Sequence, residues 1–471
     1  MFSRYLLAGC VLCLAALPAL SDEKVFRAGA AKCDVTPWLG LSLSGHMEDR
    51  IANDVHDALY ARCLALDNGQ ERLAIVLVDN CMIPREVFGQ AKLLVKKRDS
   101  LPLDHMLMAA THTHSGPCTT GIFQSNPNAR YNAFLVRRIA DSISCALRNL
   151  EPAHIAWGAG SVPDQVFNRR WKMKPGSIAP DPFGGTTDVV KMNPPRASAD
   201  LVEPAGPTDP ELPVLAVQAL DGRPIAVLAN YGLHYVGANG AEISADYFGM
   251  FAAELEARLG LADARPPFVA MLSNGTSGDV NNINFREVGT PQGPYQQTRF
   301  VAHRVAEEAL RVYQELEYHD WVELGAAQQE LELGVRLPTA EEVKRAKETI
   351  AKAVGPVMKT IEEIYARETF LLSKYPPKKK LLVQALRIGD VGIAAMPCEV
   401  FAEFGLELKQ KSAFPRTITI ELANGYNGYL PTAQQHEWGG YETWRARSSY
   451  LEPQAGHIMV SKLLELFAQL K

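Results

Sequence analysis

Two histidines one residue apart stand in Thr111-His112-Thr113-His114-Ser115-Gly116-Pro117. Imidazole ligates borderline transition metals and changes charge near neutral pH, so such a pair points to metal-assisted or proton-transfer chemistry. The pair follows an apolar run and precedes a turn, which puts it at the end of a buried strand, where α/β proteins place ligands. That placement is read as aiming the two rings to different sides, one to ligate a metal and the other to serve elsewhere. His234 repeats the arrangement, reached through Asn230-Tyr231-Gly232-Leu233 after a second apolar run. A small-polar stretch, 273–282, follows a third; such residues let backbone approach a ligand closely and present N–H groups to an anion. Glu399, after Met396-Pro397-Cys398, is either a ligand or a surface carboxylate at a strand end. Each signal is weak alone. Their recurrence behind successive apolar runs is what suggests one metal site.

The elements that would position these groups read as alternating strands and helices. Residues 72–79, 104–110, 224–229 and 267–272 are short apolar runs suited to buried strands. Residues 131–150 carry Phe134, Leu135, Ile139, Ile143 and Leu147 on one helical face, and a further helix is expected over about 247–259. The pattern predicts an α/β fold with a mixed or largely parallel sheet. Between 171 and 213 the periodicity disappears and Pro and Gly accumulate, which predicts a functional loop, an active-site wall or lid, or a solvated excursion. Thr339-Ala340-Glu341-Glu342 is a capping box opening a charged helix, broken at Gly355-Pro356 and resumed to about Leu372. Residues 382–388 and 391–395, joined at Gly389-Asp390, read as a β-hairpin, and 454–470 as an amphipathic helix.

The chain has 471 residues, 47 % apolar and 21 % charged, with a net charge of −5. That is ample material for a core, and with no Lys/Arg run interleaved with aromatics, nucleic acid is not expected as a partner. Met1-Phe2-Ser3-Arg4, an apolar run to Leu20 and then Ser21 describe a secretory signal cleaved near Ser21, so a secreted or periplasmic location is expected. Six of the eight cysteines lie beyond it, with no CxxC among them, so a Cys-based zinc site is not expected. Lys374-Tyr375-Pro376-Pro377-Lys378-Lys379-Lys380 is read chiefly as a solvated loop, with contact to anionic headgroups as the lesser reading.

The chain resembles the neutral/alkaline ceramidases. The resemblance is carried in order by 29–37 (GAAKCDVTP), Ala110–Pro117, Asn168-Arg169, the His234 loop, Gly278-Asp279-Val280, Pro397-Cys398-Glu399 and 424–429 (NGYNGY). It implies an α/β, mixed-sheet catalytic domain of the neutral ceramidase type over 22–471, behind a 1–21 signal peptide and without the family's C-terminal immunoglobulin-like domain. It further implies one Zn2+ held by His112, His234, Glu399 and Tyr429, with His114, His56 and Arg169 around the bound water and scissile carbonyl. In that scheme His114 shuttles the proton and Arg169 steadies the oxyanion.

The chain departs from the family at two places. Ceramidases carry an essential serine after Gly-Asp-Val, where this chain has Asn281, and an amide cannot replace a hydroxyl nucleophile. Cys118 and Cys398 both replace glycine beside the implied ligands, which raises the expectation that they bridge. The expected function is thus an exported zinc amidohydrolase acting on ceramide or another N-acyl compound. A zinc esterase and a non-catalytic lipid- or glycan-binding relative stand beside it, with peripheral membrane-surface contact left open.

Overall fold

The protein is described by a computed structural model over residues 24–237, 240–261 and 264–471. The expected signal segment lies outside those residues. The central element is an eight-stranded sheet, ordered Val269–Asn274, Pro224–Tyr231, Glu211–Ala219, Glu151–Ser161, Arg27–Asp34, Tyr60–Asp67, Arg72–Val78, Met106–Ala110. Only the pair at each edge is parallel; the interior pairs are antiparallel. The sheet is mixed, as expected, but not largely parallel. Hairpin-like neighbours in the middle need no crossover helices, so helices accompany only some connections.

A second sheet of four strands, Leu324–Gly334, Lys378–Ile388, Val391–Ala395 and Arg416–Ile420, packs on one face of the first. Ile75, Leu77 and Leu215 meet Leu386, Ile393 and Ile418 in the core between them. The outer face of the large sheet is covered by Arg85–Asp99 and Ala129–Arg148 on one half and by Asp246–Arg258 and Gln296–Gln314 on the other. Ala402–Lys411 and Ala455–Leu470 cover the outer face of the small sheet. The result is four layers, helix–sheet–sheet–helix, each apolar face buried against the next.

Local signals explain the element ends. Asn128 caps the helix Ala129–Arg148 by accepting the Tyr131 N–H at 3.0 Å. Thr339 opens Ala340–Lys352 with the expected capping box, and Thr360 forms a second one at Ile361–Leu372 after the Gly355-Pro356 break. The hairpin turns at Gly389-Asp390 as expected. Its first strand begins at Lys378 within the basic cluster, where Lys378 and Lys380 lie 3.1 and 3.2 Å from Glu332 and Glu330. Those two charges are thus partly neutralised across the sheet, which weakens the headgroup reading.

The segment 171–213 is not structureless. Arg170–Met173, Val190–Met192 and Leu201–Pro204 form a small three-stranded sheet. Among the described residues no helix is long and apolar enough to cross a membrane.

Candidate metal centre

The two edges of the large sheet are the termini of its strand order, yet they are laced together. The segment following Arg416–Ile420 runs between them: Glu421 N–H donates to Asn274 O at 3.2 Å, Ala110 N–H to Leu422 O at 3.2 Å, and Asn424 N–H to Met108 O at 2.7 Å. His112 lies two residues beyond one edge strand. Ser277 lies three residues beyond the other, with His234 three beyond its neighbour. Closing the edges therefore brings the imidazoles together.

Their nitrogens meet at the centre of the cleft. His112 Nε2 is 3.0 Å from His234 Nε2. Glu399 Oε2 is 3.4 Å from the first and 3.7 Å from the second. The other nitrogen of each ring faces a backbone carbonyl: His112 Nδ1 is 2.8 Å from Cys81 O, and His234 Nδ1 is 3.0 Å from Ser277 O. A carbonyl can only accept, so each Nδ1 carries the proton in the neutral ring and each Nε2 presents a lone pair. Two lone pairs facing each other at this distance repel unless a cation lies between them.

Glu399 Oε2 has no hydrogen-bond partner although it is buried. Its sister Oε1 accepts from the Tyr426 hydroxyl at 3.0 Å. Burial raises the Glu399 pKa, but His112, Arg169 and Tyr429 outweigh it and hold the carboxyl below its usual range. Ligands of a tetrahedral ion with bonds of about 2.0–2.1 Å sit roughly 3.3 Å apart, which the three separations bracket. The donor set fits a metal ion.

Tyr429 pairs with Glu399 in a two-strand parallel ladder and lines the same cleft. Its ring lies under the Arg169 guanidinium, 5.4 Å from the centroid. Burial and the Glu399 charge push its phenol well up, against the pull of Arg169. Arg169 is buried and pinned, donating from Nε to Glu442 Oε1 and from Nη2 to Gly278 O, both at 2.9 Å. Gly278 has to be glycine, since a Cβ there would lie 2.6 Å from Glu399 O.

The expectation that His112 and His114 point to different sides is corrected. His114 Nε2 lies 3.1 Å from His112 Nε2, on the same side. Residues two apart share a side of an extended chain, and His112 itself sits at φ 79, which re-aims its ring. His114 stacks on Tyr235 at 3.7 Å. Burial first, then His112, His234, His46 and Arg169, keeps its pKa well below the usual value, so it is neutral at pH 7.

Among the described residues, His56 and Asn281 make no hydrogen bond or ring contact with His112, His114, His234, Glu399 or Tyr429. His56 stacks on Tyr295 at 3.7 Å, and its Nδ1 lies 2.6 Å from Asp57 Oδ2. Asp57 in turn accepts from Ser244, whose carbonyl holds the Thr113 hydroxyl, so His56 reaches the site only through neighbours. Asn281 spends its amide on Asn193 Oδ1 at 2.8 Å and on the Ile283 N–H at 2.9 Å. Ser277 is no substitute nucleophile, because its hydroxyl donates to the buried Glu421 at 2.6 Å. The Cys118–Cys398 bridge is also corrected. Both thiols are free, and Cys118 faces Thr120 O and Ser125 instead. The 171–213 segment is tied to the cleft's surroundings through Asp188, which accepts from Trp444 Nε1 at 2.7 Å, and Trp444 packs edge-on against Tyr441 of the cleft wall.

Several site residues were given no role from the sequence: Cys81, His46, Tyr235, Tyr441 and, although it lies within NGYNGY, Tyr426. His46 lines the cleft, and burial with Arg50 lowers its pKa to about 4. Only Gly45-His46, a glycine next to a histidine, hinted at close packing. A Cβ on Gly45 would lie 2.3 Å from the His114 ring. The cleft itself is about 20 Å3, room for about one water, and its walls include Ile122 and Phe123.

Fold and site together define an α/β protein with a buried histidine–carboxylate centre where two sheet edges meet. The family description "Neutral/alkaline non-lysosomal ceramidase, N-terminal" matches residues 26–287, and the chain belongs to that family. It is 29 % identical to the neutral ceramidase of Pseudomonas aeruginosa over 182 residues, 35 % of this chain and 26 % of that protein. It is 23 % identical to neutral ceramidase A of Dictyostelium discoideum over 284 residues, 56 % of this chain and 36 % of that one. The matched segments thus span about a quarter and about a third of these relatives. The crystal structure of the Pseudomonas aeruginosa enzyme superposes with a TM-score of 0.73 at 19 % identity, covering 95 % of this chain and 75 % of the other. A structure described as ceramidase complexed with C2 gives 0.71 at 18 %, with the same coverages. These likenesses establish the fold.

Proposed function

We propose that the chain is an exported zinc-dependent amidohydrolase that cleaves the linear amide of ceramide or a related N-acyl lipid. The observation that carries the reading is the pair of Nε2 lone pairs, 3.0 Å apart, beside the unpartnered Glu399 Oε2. His112, His234 and Glu399 would hold the ion, with Tyr429 as a fourth ligand. A bound zinc ion supplies Lewis acidity, polarising a carbonyl and lowering the pKa of water toward about 7.

The chain's own residues account for the rest. His114, neutral and stacked on Tyr235, is positioned to take a proton at Nε2. Arg169, fixed by Glu442, keeps a positive charge behind Tyr429, where it offsets developing negative charge. The cleft is about 20 Å3, so a lipid acyl chain requires its walls, which include Ile122 and Phe123, to move. Asn281 is not a nucleophile here; its bond to Asn193 fixes the loop behind Arg169. Export rests on the first 21 residues, whose pattern is that of a secretory signal.

The test is turnover by the zinc-loaded protein of a fluorescent N-acyl-sphingosine beside its O-acyl ester analogue. Amide cleavage lost in Glu399→Gln supports the reading. Ester cleavage alone points to an esterase, and bound zinc without turnover of either points to a binding protein.

A further inference from the structure

A second unusual site lies outside the metal centre. Lys92, on the helix Arg85–Asp99, is only 6 % exposed. Its Nζ donates to Asn424 Oδ1 at 2.8 Å, and among the described residues no carboxylate pairs with it. A buried ammonium without a counter-ion is costly, and the ordinary escape is to give up the proton. Burial lowers its pKa to about 7; Arg85 acts in the same direction and Asp104 opposes. The other polar groups near it, Asn424, Gln384 and Gln328, are uncharged.

The amine has space in front of it. It lines a cavity of about 150 Å3 whose other walls include Phe88, Leu103 and Leu382. Arg85, Gly89, Leu382 and Asn424 also line a groove of about 850 Å3, so cavity and groove adjoin. The far wall of that groove includes Ile122 and Tyr426, which also line the metal cleft.

We propose that Lys92 is a covalent binding site for short aliphatic aldehydes. The neutral Nζ adds to the carbonyl carbon, forming a C–N bond and opening the C=O to a carbinolamine. Loss of that oxygen as water gives a neutral imine, and one further proton taken from solvent gives the protonated form. The neutral carbinolamine, and the secondary amine left by reduction, each keep an N–H for the bond to Asn424 Oδ1. The apolar walls select an alkyl chain. An anionic ligand gains less there than at an ordinary lysine, because about half of the amine is uncharged at pH 7. The adduct would sit beside Asn424, the first residue of the loop that carries Tyr426 and Tyr429. This inference does not depend on the metal reading.

The experiment is reductive trapping of the full chain with propanal and cyanoborohydride at pH 7, with peptide mapping over time. An ordinary lysine is neutral in only about one molecule in 10³ at that pH, whereas Lys92 would be about half neutral. Lys92 is therefore expected to label at least about tenfold faster than the exposed Lys378 and Lys462, less than the full ratio because access is restricted. The preference should vanish when the protein is unfolded in guanidinium before labelling. Labelling of Lys92 no faster than Lys378 in the folded protein, or a preference that survives unfolding, overturns the proposal.

Discussion

The metal cleft and the Lys92 cavity are opposite answers to one problem. In the cleft, two imidazole lone pairs and a carboxylate oxygen converge on one point. In the cavity, a lysine is buried without an anion. The first arrangement is rigid and overdetermined: backbone carbonyls fix both imidazole tautomers, Tyr426 fixes the carboxylate, and the lacing segment fixes the sheet edges. A cation bound between these atoms would relieve their repulsion. The second has one hydrogen bond and adjoining free space, so its imbalance is relieved by losing a proton. Polar burial thus marks a ligand-ready site in both places, but the missing partner differs.

The largest effect that could break this contrast is removal of a cleft ligand. His112→Ala should lower metal affinity by more than the about 10²-fold typical of losing a supporting group, with far-UV circular dichroism unchanged. Full metal content in that variant would mean that His112 is no ligand. Tyr426→Phe should weaken metal affinity by about 10- to 100-fold, because Glu399 Oε1 loses its donor. Competition with a chromogenic chelator measures both.

The Lys92 side gives a pH signature of known sign. Its folded pKa lies below the unfolded value, so from about pH 7 to about 10 the unfolded chain binds more protons. Wild-type stability should therefore rise with pH across that window relative to Lys92→Met, by on the order of 1–3 kcal/mol. Below pH 7 the two profiles should run parallel. Urea unfolding at a series of pH values reads this, and parallel profiles up to pH 10 would remove the contrast.

Asn281→Ser should have the smallest effect. Loss of one partly buried hydrogen bond to Asn193 costs about 1 kcal/mol or less, with metal content unchanged. A serine there gains a hydroxyl at a position whose side chain makes no hydrogen bond to the implied ligands. Recovery of a large amidase rate in this variant would show that the 281 position reaches the substrate after all.

Much of the fold was legible from periodicity. The apolar runs at 72–79, 104–110 and 224–229, the capping box at Thr339 and the Gly389-Asp390 turn all depend on neighbours in sequence. What was not legible depends on closure of the sheet. Nothing in residues 421–424 says that they lace two edges, and it is that lacing which places His112 beside His234. Resemblance supplied the ligand set, but not its surroundings. Tyr235 and Cys81 touch the His114 and His112 rings, and Tyr426 lines the cleft, from separate loops. His56 and Asn281 matched family positions, yet their side chains are occupied by Asp57 and Asn193. The composition of 171–213 suggested a lid, but short strand pairings hidden among its prolines make it a small sheet.

The central claim is that the facing imidazole lone pairs are held together by a metal ion. Inductively coupled plasma mass spectrometry on the purified wild-type chain, after dialysis against a weak chelator, tests it directly. The account predicts about one zinc ion per chain in wild type and near none in His112→Ala or Glu399→Gln. A metal-free wild-type protein that also fails to take up zinc, or a variant that keeps a full equivalent, would contradict it.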